Sequence, residues 1–149
     1  PEDAMMFVRE YKEWGIDVTA QVKTFTSFVA ELVKGGALKV TKTANVYTFQ
    51  DPVHLARDLE ETEPAREIIA SCGENREMLL NRKDTMLGGN LIMNEYMPDV
   101  MKKVALDRWM NARNMGAKVV VTACPGDYEI MKSVKTDDID IKTIEEILL

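Results

Sequence analysis

Apolar residues recur at helical spacing from the start of the chain. In Ala4–Trp14, Met6, Phe7, Tyr11 and Trp14 share one predicted face, Asp3 is placed to cap the start and Gly15 to stop it. A second helix is predicted over Thr24–Lys34, where Phe25, Phe28, Val29, Leu32 and Val33 form a stripe that Gly35-Gly36 ends. The pattern then changes period. Val46-Tyr47-Thr48-Phe49 is β-branched and aromatic and predicts a strand, and Pro52 just beyond it suits the first turn of a helix. Short helices are predicted over 54–60 and 64–70, a second strand over 77–80 and a loop over 81–90. The longest predicted helix covers 94–115, with Val100, Met101, Val104, Ala105, Leu106, Trp109 and Ala112 on its apolar side and Gly116 at its end. Val119-Val120-Val121 is the centre of the clearest strand, 118–122, because an unbroken valine run suits burial on both faces in a parallel sheet. A helix through Val134, a strand at 139–141 and a last helix over 143–149, capped by Thr143, complete the pattern.

Strands alternating with helices predict a single α/β domain, 1–149, with a mostly parallel sheet flanked by helices. In such sheets ligands gather beyond the carboxyl ends of strands. Three segments follow predicted strands and fall there: Asp51-Pro52-Val53-His54, Thr85-Met86-Leu87-Gly88-Gly89 and Thr122-Ala123-Cys124-Pro125-Gly126-Asp127. Their convergence is where a site is expected.

Composition narrows the classes. The chain has 149 residues, 46% hydrophobic and 30% charged, a globular balance able to fill a core without staples. Its formal net charge of −6 disfavours nucleic-acid partners, since it repels phosphate backbones. No apolar run reaches the roughly 18–20 residues of a membrane span, so no direct insertion in a membrane is expected. Cys72 and Cys124, with no leader pattern, read as reduced thiols of a cytoplasmic protein. The ten methionines read chiefly as adaptable core filling. The missing initiator Met suggests a segment of a longer protein.

Individual motifs leave the chemistry open. Cys124 stands at a strand-to-helix turn, where it is either a thiolate favoured by the helix N-terminus or a small residue in a tight turn. His54, the one histidine, is either a ligand or acid/base group or a packing residue. Gly88-Gly89 has no following Lys-Ser or Lys-Thr, so it is not a P-loop. No nucleophile triad is spelled out.

Taken together, the three loops resemble the cysteine-rich "CCG" domain found in heterodisulfide reductases, the glycolate oxidase iron–sulfur subunit and lactate-utilisation iron–sulfur proteins. That family carries Asp-Pro-Cys-His, then Cys-Cys-Gly, then Cys-Pro-x-Cys. Here 32 residues separate Val53 from Met86 and 36 separate Leu87 from Cys124, which matches the family's spacing. At the five cysteine positions this chain has Val53, Met86, Leu87, Cys124 and Asp127.

The resemblance implies a Rossmann-like domain from the C-terminal part of an iron–sulfur electron-transfer oxidoreductase subunit. Its partners would be iron–sulfur or flavoprotein subunits and a paired CCG domain, with attachment to a membrane complex arising only through them. Clusters need several thiolates, so no cofactor is expected in this segment, an iron–sulfur cluster being left to the parent protein or the paired domain. Val53, Met86 and Leu87 are then expected to plug the former cluster hollow, leaving a structural, interface-forming domain. The alternative is a live metal or redox module built on Cys124 and His54, joined by Asp127 or Cys72.

Overall fold

The computed structural model describes the whole chain, Pro1–Leu149. Strands β1 (Val46–Gln50), β2 (Glu74–Asn75), β3 (Val119–Thr122) and β4 (Asp140–Thr143) form one sheet in the order β2-β1-β3-β4, parallel at every pairing. Helices α1 (Glu2–Met5), α2 (Tyr11–Glu13), α3 (Phe25–Lys34), α4 (Pro64–Cys72), α5 (Leu91–Tyr96), α6 (Pro98–Asn114) and α7 (Pro125–Ser133) surround it. The chain has the α/β architecture with a parallel sheet that the alternation predicts, in the Rossmann-like form that the resemblance implies.

Parallel neighbours need long crossovers, and α4, α6 and α7 provide them. They also divide the core. Val119 and Val121 face α3 and α4, packing with Val29, Ile68, Ile69 and Ile147. Val120 faces the opposite layer, with Trp109 and Ala112 of α6 and Met131 of α7. The valine run is buried on both faces, as its composition predicts. Each such side chain contributes roughly 1.5–3 kcal/mol when fully buried.

From β1 the chain moves outward to β2, then returns to place β3 on the other side of β1. The order therefore reverses between β1 and β3, whose ends lie level, Gln50 opposite Thr122. A crevice opens beyond the strand ends at such a reversal.

Several elements differ from expectation, each for an identifiable reason. The predicted strand 77–80 is not one: β2 is Glu74–Asn75, Arg66 holds Glu77 by two hydrogen bonds of 2.8 Å, and Leu80 adopts φ +55°. The predicted helix 94–115 begins earlier and is broken. Asn90 caps α5 by accepting the Met93 N–H at 2.8 Å, and Pro98, which has no N–H to continue the ladder, starts α6 afresh. On α6 the buried side holds Met101, Ala105, Arg108, Trp109 and Ala112, while Val100 and Leu106 are exposed. On α3 Thr24, read as the first helical residue, is instead the cap, accepting the Ser27 N–H; Thr26, Val29 and Ala30 are buried and Phe25 and Phe28 exposed. The first predicted helix starts at Glu2, without a cap from Asp3, and passes through a π-type stretch at Met6–Glu10; none of its residues is buried. The last predicted helix is a single 3₁₀ turn, Glu145–Ile147. There Thr143 donates its backbone N–H to the Glu146 carboxylate at 2.7 Å, and its hydroxyl does not cap. Finally, no helix is long and apolar enough to cross a membrane.

Candidate functional site

The three loops do converge. Beyond the ends of β1 and β3 lies an open cavity of about 650 Å³. Val53, His54, Met86, Leu87, Cys124 and Asp127 all line it, with Glu2 from α1 and Leu91 and Ile92 from α5. The five positions that the resemblance equates with cysteines therefore share one hollow. They line it without plugging it, for Met86 remains 41% exposed. The expectation of a collapsed, water-free site is corrected on this point: the apolar side chains form walls of an open cavity, together with Leu91 and Ile92 of α5.

Asp127 is the polar centre of this hollow. It lies in the first turn of α7, is 1% exposed, and its Oδ1 accepts the N–H groups of Gly88 at 2.9 Å and Gly89 at 2.8 Å. The two glycines serve close approach. A Cβ on Gly89 would stand 2.3 Å from Ile130 Cβ, which no side chain tolerates. Because both amides are committed to Asp127, they form no phosphate cradle. Burial drives the Asp127 carboxyl up to about 7, against the two loop amides and the more distant charge of Arg108.

A buried polar frame sets the loops. Gln50 donates Nε2 to the Met86 carbonyl at 2.8 Å and accepts Nε of Arg108 at 2.6 Å. Arg108 is fully buried, donates Nη1 to the Leu79 carbonyl at 3.0 Å, and leaves Nη2 without a partner. Burial pushes its pKa down, with Asp51 and Asp127 opposing. Asp51 accepts the Arg82 N–H, and its carbonyl takes the Thr85 hydroxyl at 2.9 Å. Arg66 pairs with Asp51 on one side and Glu77 on the other. Burial opposes the Arg66 charge, but the two carboxylates outweigh it and hold its pKa above the ordinary value.

The candidate chemical residues are less active than their positions suggest. Cys124 is partly buried; burial first, and then the Asp127 charge, raises its pKa, so it is not the activated thiolate the helix N-terminus would favour. Its backbone N–H goes to Thr122 Oγ1 at 3.2 Å. His54 sets Nδ1 against Asp58 Oδ2 at 2.7 Å, and no hydrogen bond joins it to Cys124. Cys72 lies in the α3–α4 core, away from the cavity, its pKa raised by burial. No three His, Cys, Asp or Glu side chains come together as a metal-binding group. One thiol, one imidazole engaged by Asp58 and one carboxyl engaged by loop amides fit neither a cluster nor the lone metal of the alternative reading.

Sequence reasoning locates the cavity wall but misses its frame. Gln50, Arg66, Glu77 and Arg108 carry no motif. Their one signal is relational, charged or amide side chains on elements that otherwise read as core, and only the pairing of those elements reveals it. Comparison with protein-family models, with curated proteins and with solved structures finds no match to this chain.

Proposed function

We propose that this chain is a cluster-free CCG-like domain of an iron–sulfur electron-transfer oxidoreductase subunit, serving that protein as a structural and interface-forming unit in a cytoplasmic complex. Its partners in this reading are a paired CCG domain and iron–sulfur or flavoprotein subunits. The observation that supports it is the meeting of Val53, Met86, Leu87, Cys124 and Asp127 around one cavity at the β1/β3 reversal. Matched spacing along a sequence is weak support by itself. Loops that follow parallel strands meet at such a reversal in any sheet of this kind, so the support lies in the family spacing and the shared hollow taken together.

The test restores the missing sulfur. In the triple variant Val53→Cys, Met86→Cys, Leu87→Cys, Cys124 gives a fourth thiol while Asp127 keeps its loop amides. Anaerobic reconstitution with iron and sulfide should then load the variant stoichiometrically and give visible charge-transfer absorbance, while the parent chain stays colourless. A folded variant that takes up no iron overturns the family reading. A parent chain that forms a stoichiometric cluster overturns the cluster-free assignment.

A further inference from the structure

We infer that the cavity is a binding site for a small amphipathic cation, an amine-headed molecule with a ring-sized apolar body. Its volume of about 650 Å³ falls within the roughly 300–1,000 Å³ typical of small-molecule sites. Val53, Met86, Leu87, Leu91 and Ile92 supply an apolar lining for the body.

Asp127 supplies the anchor for the head. It is buried, it borders the cavity, and it forms no salt bridge with any basic side chain of the chain. A buried carboxylate without a counter-ion is costly, and the structure offers none at contact distance. Arg108 acts on it from a distance, with Nε committed to Gln50 and Nη1 to Leu79. A cationic guest would complete the pair that the fold leaves open. Glu2 on the cavity lining adds a second negative charge. Arg57 and His54 are the lining's basic side chains, and both have partners other than Asp127: Arg57 donates to the carbonyls of Lys83, at 3.0 Å, and Thr85, and His54 sets Nδ1 against Asp58. At the Asp127 end the site therefore favours a donor-rich cation over an anion. A bare metal ion is a poor candidate, since no three ligating side chains assemble.

The groups facing Asp127 are Cys124 in its own turn, Arg108 from α6, Gln50 from β1 and the amides of Gly88 and Gly89, with Glu2, His54 and Arg57 on the same cavity lining. As the pH falls below about 7 the carboxyl takes up a proton, so the preference for a cation should fade.

Three probes of nearly one shape test this: cyclohexylmethylamine, cyclohexylmethanol and cyclohexanecarboxylate, titrated calorimetrically. At pH 8 the amine should bind at least about tenfold tighter than the alcohol, a difference of about 1.4 kcal/mol, with the carboxylate weakest. At pH 5.5 the amine's advantage should shrink to about threefold or less. Asp127→Asn keeps an acceptor for the two glycine amides and should abolish the advantage. Met86→Trp, at a half-exposed wall position, should weaken amine and alcohol alike by filling the cavity. Equal affinity of amine and alcohol, tightest binding of the carboxylate, a preference that survives in Asp127→Asn, or no binding by the folded chain would each overturn the proposal. Should Asp127→Asn not fold, the pH series and Met86→Trp decide. None of these readings depends on the cysteine-restoration experiment, so the two proposals fail separately.

Discussion

Arg66 grips Asp51 with both arms of its guanidinium, Nη1 to Oδ1 at 2.7 Å and Nη2 to Oδ2 at 2.8 Å, while Nε and Nη2 also reach the Glu77 carboxylate. Asp51 in turn receives the Arg82 N–H at 2.9 Å. Two walls of the cavity, the segment after β1 and the segment leading to Thr85, thus hang on one buried ion pair.

Arg66→Met should destabilise the fold by about 3–5 kcal/mol, because it strands Asp51 buried and uncompensated. Equilibrium urea unfolding measures it. A loss below about 1 kcal/mol would show that the frame is dispensable, and Arg66→Lys should recover only part, since an ammonium cannot match two carboxylates in a planar fork.

Asp127 gives a pH signature of definite sign. Its folded pKa of about 7 stands above the ordinary 3.8, so folding favours the protonated form. The stabilisation this brings is complete below about pH 4 and is lost as pH climbs to about 7, at up to roughly 1.4 kcal/mol per pH unit. Asp127→Asn, neutral throughout, should therefore gain on the parent chain between pH 4 and 7 and run parallel to it above. A stability difference that stays flat across that window contradicts the assignment.

Gly89→Ala places a methyl group 2.3 Å from Ile130 Cβ and should cost about 1–3 kcal/mol through overpacking. Ile130→Ala in the same chain should recover part of that loss, so the two substitutions will not be additive. Additive losses in the thermal melts would show that the loop clears α7 by another route.

Cys124→Ser should cost no more than about 1–2 kcal/mol, since the thiol side chain is partly buried and ligates nothing in the fold. Because burial and Asp127 raise its pKa, Cys124 should react with a disulfide reagent at pH 8 more slowly than a free thiol. Reaction faster than glutathione would reveal an activation the present geometry does not provide.

Where local pattern and tertiary demand agree, the sequence is legible. The valine run of β3 and the loops after β1 and β3 are readable because sheet burial and strand-end turns impose short-range rules, whereas the 85–89 loop reaches the cavity although the strand expected before it, 77–80, does not form. Misreadings arise where a distant partner decides. Glu77–Leu80 has the apolar look of a strand, but Arg66, eleven residues back, pulls Glu77 aside. Phe25 and Phe28 match a helical stripe, yet α3 turns the Thr26, Val29 and Ala30 side to α4 and the sheet, leaving both rings exposed. Spacing points to the cavity wall but not to its staying open, because side-chain size alone does not reveal how little of the hollow Val53, Met86 and Leu87 fill.

Strand β3 sends Val119 and Val121 into one layer and Val120 into the other. A single inserted residue ahead of Val119 would swap the two sets and offer each layer side chains shaped for its opposite. Neither layer can loosen alone without taking the shared strand from its neighbour, so the two should unfold together in one transition.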